Sequence, residues 1–368
     1  MCLRLQHVSV ALVVVALCLV ASDAAADASL IDRIRSAWQE REKAARTFVV
    51  EWDEQVAIPK GMAGKDKQGK GLPPQDAVYT IRHRMVGSGN RLRLDRSGQQ
   101  YDVSKREIID KQFVRVFDGR ERRELFFGEY KKDHPGGFLN KIPFFDDGSY
   151  LGIQPVVLSF RPLRTELGGI DLATFKVSEL RGSVDGIACH VLERPHGGSG
   201  VDRLWLAQEG DFRILRRQLG RAERPAEELT LSYEPDSKGN CNQWTYVMRS
   251  SGDVPREMSA SKTTKLQTNV PVDEAEFQYE FPRGAIVNYE DSDNFAIARD
   301  DGSLRPVTAG ELAAGISPET LMKTDPLPEA REPNRRWSMT FMAWCVMAGI
   351  VMASCVFYYR YRRRQPLI

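Results

Sequence analysis

The side chains best suited to metal binding or nucleophilic chemistry in this sequence are its five histidines and six cysteines, and their spacing argues against both uses. In His190-Val191-Leu192-Glu193-Arg194-Pro195-His196 three potential ligands stand close together. Side chains alternate along a strand, so Glu193 points away from both histidines, and Pro195 disrupts regular pairing. Gly198-Ser199-Gly200-Val201 lacks the second glycine and the following helix of a nucleophile elbow. Gly61-Met62-Ala63-Gly64-Lys65-Asp66 has neither the spacing nor the hydroxyl residue after lysine of a phosphate loop, and it follows no buried parallel strand. It reads as part of a mobile surface loop, 59–74, rich in glycine and lysine. Asp291-Ser292-Asp293-Asn294 and Asp300-Asp301-Gly302 match no calcium loop and read as acidic turns. These residues predict no catalytic site and therefore no enzyme, no metal and no cofactor.

Cys2 and Cys18 fall in an N-terminal apolar segment and Cys345 and Cys355 in a C-terminal one, leaving Cys189 and Cys241 in the folded part. Two thiols cannot build a disulfide framework or a four-cysteine zinc site. Several candidate strands separate them, so two small buried residues are expected rather than a disulfide. The formal net charge of +2 lacks the basic excess of a nucleic-acid surface.

The elements that would position any site are mostly strands. Leu229, Leu231 and Tyr233 alternate with Thr230, Ser232 and Glu234, and Trp244, Tyr246 and Met248 repeat the period of two. Val201, Arg203 and Trp205 repeat it more weakly. Asp185-Gly186, the 196–200 glycine run, 208–211 and 235–240 supply turns, so 175–289 predicts one antiparallel sheet apolar on one side. Upstream, Ser29 caps a helix in which Leu30, Ile31, Ile34 and Trp38 share a face. Phe48, Val50, Trp52 and Val56 then have strand spacing, followed by strands around Tyr79, Ile81 and Met85, around Leu92 and Leu94, and over 113–117. Arg82, Arg84, Arg91, Arg93 and Arg96 suggest a solvated sheet face. From Leu125 to Leu163 the alternation disappears while apolar density stays high, which predicts short helices and loops across the open sheet face. They would be simple core filling or a lid over a ligand cavity.

Both ends of the sequence are apolar. Residues 1–26 have the layout of a secretory signal peptide, with small residues before Asp27. Trp337 to Tyr359 carries no charge and is long enough to cross a hydrocarbon core about 30 Å thick. Arg360, Arg362, Arg363 and Arg364 follow it as a basic cytoplasmic tail, 360–368. Pro318, Pro326, Pro328 and Pro333 mark a stalk within an appended segment, 292–336. The chain is thus expected in the inner (plasma) membrane as a single-pass protein with its N-terminal domain in the periplasm.

The helix leading directly into a strand, the arginine-bearing strands, the apolar interlude and the second strand series together resemble the bacterial lipoprotein carrier superfamily. The resemblance rests on Val184-Asp185-Gly186-Ile187-Ala188-Cys189-His190-Val191-Leu192-Glu193, on Leu204-Trp205-Leu206 with Phe212-Arg213-Ile214-Leu215, and on Phe277 with Phe281-Pro282-Arg283-Gly284-Ala285-Ile286-Val287. It covers about 29–291 through the order and character of elements. It implies an α+β fold over 27–291: a curved antiparallel sheet, or half-barrel, with an N-terminal helix and short covering helices, to which the C-terminal transmembrane helix is added. The concave apolar face would hold acyl chains, with a lipid or an acylated protein as partner. Trp52, Trp205, Tyr233, Trp244 and Tyr246, with Phe144, Phe145 and Leu151 of the interlude, are the large apolar candidates to line it. The expected role is envelope lipid or lipoprotein handling or sensing. A non-enzymatic module whose core is filled by its own side chains, and which recruits another envelope protein, remains the alternative.

Overall fold

The structure is a computed structural model and describes residues 27–66, 68–103, 105–127, 135–140, 153–221, 223–234, 241–249, 254–289 and 294–326. The expected signal peptide, the transmembrane segment with its tail, and the candidates Phe144, Phe145 and Leu151 lie outside the described residues. Among the described residues no helix is long and apolar enough to cross a membrane.

Helix α1 (27–44) runs straight into β1 (Thr47–Ile58). A small hairpin of β2 (Gly64–Lys65) and β3 (Gly71–Leu72) follows, then a meander of β4 (Ala77–Ser88), β5 (Arg91–Asp102), β6 (Glu107–Phe117), β7 (Arg122–Phe127) and β8 (Gly136–Asn140). After α2 (Gln154–Phe160) come β9 (Lys176–Val177), β10 (Gly182–Val184) and a second meander: β11 (Ile187–His196), β12 (Gly200–Ala207), β13 (Ile214–Arg221), β14 (Arg224–Tyr233), β15 (Cys241–Arg249) and β16 (Pro255–Thr268). The chain continues through β17 (Ile286–Tyr289), β18 (Asn294–Ala298), β19 (Leu304–Val307), α3 (Ala309–Ala313) and α4 (Pro318–Lys323).

β1 is the seam of the sheet. It pairs with β4 on one side and with β16 on the other, so the first meander runs outward from it and the second returns to it. All these pairings are antiparallel; β8 pairs with β17 in parallel and extends the sheet through β18 to β19. Among the described residues the outermost strands of the two sides, β19 on one and β9 and β10 on the other, form no ladder with each other, and the sheet stays open. The hairpin expected at Asp185-Gly186 forms between β10 and β11, with both residues at positive φ (50° and 81°), the backbone that a two-residue turn demands.

One face, here called inner, carries the main core. Phe48, Val50 and Trp52 of β1 meet Met85, Leu92 and Leu94 on one side and Leu204, Leu206, Ile214, Leu229, Leu231 and Trp244 on the other. Helix α1 covers it with Ile34 and Trp38, both fully buried, and α2 adds Val156, Val157, Leu158 and Phe160. Each such buried side chain contributes about 1.5–3 kcal/mol. The Trp38 indole donates to the Phe212 carbonyl at 2.9 Å and Arg41 grips the Asp211 carbonyl at 2.7 Å, which fixes the helix against the β12–β13 turn.

Three sequence expectations change. The 59–74 loop is a folded hairpin: Leu72 is buried with Val56, Ile58, Ala77, Tyr79, Ile81 and Tyr101, closing the lower end of the inner face. The interlude contributes a strand, β8, as well as α2. The arginines are not one solvated face either. Arg84 makes a forked pair with Glu276 (3.1 and 2.7 Å), Arg91 binds Glu274, and Arg93 binds Asp95 at 2.9 Å. Segment 270–279 lies across the outer face there, with Phe277 packed on Val49, Val86, Val114 and Val116, and its carboxylates meet the guanidinium groups.

Candidate ligand-binding face

Strand parity decides which candidates meet. Along β1 the inner positions are Phe48, Val50, Trp52, Glu54, Val56 and Ile58, so a carboxylate sits in the middle of an apolar row. His83 of β4 lies directly opposite Trp52, Ser261 of β16 opposite Glu54, and Trp244 of β15 opposite Ser261. The result is one patch spanning four neighbouring strands. The Trp52 indole stacks on the His83 imidazole with centroids 4.6 Å apart and planes 2° from parallel, and Trp244 meets Trp52 edge-on at 5.6 Å. Tyr246 adjoins on β15 and is also buried.

His83 Nε2 and Glu54 Oε2 are 2.8 Å apart and both side chains are buried. Burial pushes the Glu54 carboxyl up, but its hydrogen bond with His83, with further help from Arg96 and Ser259, outweighs this and leaves it below the ordinary carboxylate value. Burial pushes the His83 imidazole down, and Glu54 restores only part of the difference. Glu54 is therefore a carboxylate and His83 a neutral ring that donates from Nε2, leaving an acceptor lone pair on Nδ1. Glu257 nearby is held above its ordinary value by burial and by the Glu54 charge.

Among the described residues, Trp52 Nε1, His83 Nδ1 and Ser261 Oγ of this patch are buried and meet no hydrogen-bond partner. They amount to a donor, an acceptor and a hydroxyl that can be either. Serine, histidine and a carboxylate are the members of a hydrolase triad, but among the described residues the ring nitrogen left over from the carboxylate meets no hydroxyl. What remains in the patch is hydrogen-bonding capacity of the kind a hydroxyl or an ester uses, set against aromatic and aliphatic side chains.

The other candidates are placed differently. Trp205 lies on the opposite sheet face, packed on Val184, Cys189, Ala207 and Leu215 with the Arg216 guanidinium 5.8 Å over its ring. The inner positions of β12 are Asp202, Leu204 and Leu206. Tyr233 sits where a bulge shifts the β14–β15 register, and its hydroxyl donates to the Ile214 carbonyl at 2.9 Å. Cys189 and Cys241 are free, buried thiols, and burial pushes Cys241 up to about 12.

Sequence reading missed Glu54 and His83. The available signal was parity: Glu54 shares the face of Trp52 and Val56, and His83 that of Ile81 and Met85. A separate open depression of about 980 Å³ lies between β9, β11 and β12, lined by groups such as Lys176, Glu193 and Arg203. It shares no residue with the patch.

No family model and no curated protein matches this chain. Among solved structures, an outer membrane lipoprotein-sorting protein domain from Vibrio parahaemolyticus is similar over 67% of this chain and 94% of its own, at 11% identity and a TM-score of 0.36. MucB in complex with MucA(peri) is similar over 71% of this chain and 72% of its own, at 11% identity and a TM-score of 0.17. Overlaps of this size assign neither a fold nor a function to this chain.

Proposed function

We propose that this chain is an extracytoplasmic module that holds one acyl-bearing amphiphile, a lipid or an acylated protein, against the inner sheet face. The observation that carries this reading is the group of buried atoms of Trp52, His83 and Ser261 left without a partner among the described residues, beside Glu54 in a largely apolar wall. A buried unpaired polar group costs about 1–3 kcal/mol, and a ligand group bonded there recovers that cost. The aromatic rings would contact the acyl chain and the polar atoms its ester or hydroxyl. The signal peptide and apolar C-terminal segment of the sequence support a single-pass inner-membrane location with the sheet in the periplasm. A protein so anchored cannot shuttle cargo between membranes, so handling or sensing at one membrane is the role.

The second reading, an interaction module with a self-filled core, is favoured by the near-complete burial of Trp52 and Trp244 beneath their cover (0% and 3% exposed). Native mass spectrometry of the full chain, with lipid extraction, separates the two. One acyl species retained per wild-type chain, and lost from Ser261→Leu, is the expected result. Equal lipid retention by wild type and variant, or a bare mass after incubation with acyl lipid, overturns the proposal.

A further inference from the structure

The end of the sheet where β1 finishes gathers three loops into one surface. Asp66 organises the β2–β3 hairpin by accepting from the backbone of Gln68 and Lys70 at 2.9 and 2.8 Å. Arg106 of the β5–β6 turn reaches Gln68 at 3.3 Å and Asp66 at 3.4 Å. Arg256, at the start of β16, donates to the Met62 carbonyl at 3.2 Å. The hairpin is thus tied to both neighbours, and its own Leu72 is anchored in the core beneath it.

Two properties coincide on this surface. Lys60, Lys65, Lys70, Lys105 and Arg256 are exposed. Over 59–76, 103–108 and 254–258 the opposing carboxylates are few. Asp66 is engaged with Arg106, Glu257 is partly buried, and only Asp76 and Glu107 are exposed among the described residues. The same end carries five of the eight large apolar side chains exposed among the described residues: Val78, Val103, Ile108, Val254 and Met258, at 38–53% exposure. Exposed apolar side chains among lysines are costly in water and suited to an interface whose inside is apolar and whose rim is negative.

We infer that this end of the sheet docks on an anionic phospholipid surface, with the lysines over the headgroups and Val103 and Val254 seated at the acyl boundary. The charge complementarity selects anionic over zwitterionic lipid, at about fivefold in binding per basic residue near the surface. The contact is independent of any ligand on the inner face.

Hydrogen exchange of the full chain in nanodiscs tests this, comparing pure phosphatidylcholine with a mixture containing phosphatidylglycerol. Amides of 60–76 and 103–108 should exchange several-fold more slowly on the anionic discs, and the triple change Lys60→Gln, Lys65→Gln and Lys70→Gln should abolish the difference. Unchanged exchange in β15 and β16 verifies that the variant is folded. Val103→Ser should reduce the protection without removing its dependence on lipid charge. Equal exchange on the two discs overturns the inference. So does protection that survives the triple change, which would point to a protein partner or to uncharged contact.

Discussion

Two of the polar groups that interrupt the apolar inner face, Asp202 of the second meander and Glu54 of the β1 seam, are built differently. On the second meander, Asp202 is fully buried and both of its oxygens are used. Arg217 takes them in a fork at 3.0 and 2.8 Å, and Arg194 adds contacts at 3.0 and 2.9 Å. Across the β1 seam, Glu54 has His83, but His83 Nδ1, Trp52 Nε1 and Ser261 Oγ have no partner among the described residues. A saturated cluster has nothing left to offer a ligand and acts as a staple between β11, β12 and β13. An unsaturated one keeps bonding capacity in a place where it costs stability, which is what the proposed ligand site requires.

The largest effect expected from this difference is at the staple. Asp202→Ala leaves the buried Arg217 guanidinium without its counter-charge and should cost about 3–5 kcal/mol, read as a shift of the urea unfolding midpoint. A loss below about 1 kcal/mol would mean that the cluster is not a staple and that the contrast with Glu54 is empty.

The next effect is in pH dependence. The folded imidazole of His83 titrates below its ordinary value, so as pH falls below about 6.5 the unfolded chain takes up a proton that the folded chain refuses. Its contribution to stability is complete above that pH and is lost on acidification. The lowered Glu54 carboxyl acts with the same sign, but only below its ordinary value of 4.5. Glu257 and Glu42, both raised chiefly by burial, act with the opposite sign, their contributions being lost as pH rises through 4.5 and above. His190 is also lowered by burial, so the His83 share is read by difference. His83→Gln, which keeps a donor toward Glu54 but cannot titrate, should flatten the fall in unfolding midpoint between pH 7 and 5. A slope identical to wild type would place the titration elsewhere.

The same two clusters explain what the sequence disclosed. Alternation made the strands of both meanders legible, and the stripe of Ile34 and Trp38 made α1 legible, because apolar burial writes a period into the chain. The parity of β12 was misread because Asp202 occupies an inner position while Trp205 looks like the apolar member; a charge satisfied by two distant arginines is invisible to a rule that sorts polar from apolar. Glu54 escaped for the same reason, in a row whose outer members, Glu51, Asp53 and Gln55, are polar as well. The crossing of Phe277 over the outer face, and the closing of the 59–74 hairpin over Leu72, depend on partners far away in sequence and leave no local period.

The smallest expected effect has the least ordinary sign. Ser261 is buried at 5% exposure between Glu54 and Trp244, and its hydroxyl meets no partner among the described residues. Removing a satisfied hydroxyl normally costs stability, but removing an orphaned one returns the desolvation cost while deleting a single oxygen. Ser261→Ala should therefore raise the unfolding free energy of the ligand-free protein by about 1 kcal/mol. It should also weaken retention of an acyl ligand, since one polar partner is gone. Both measurements are needed, because a packing role predicts a loss of stability and a ligand role predicts a gain in stability with a loss of binding. Destabilisation by this change would show that the hydroxyl is paired in solution, and the patch would then be a second staple, equivalent to Asp202.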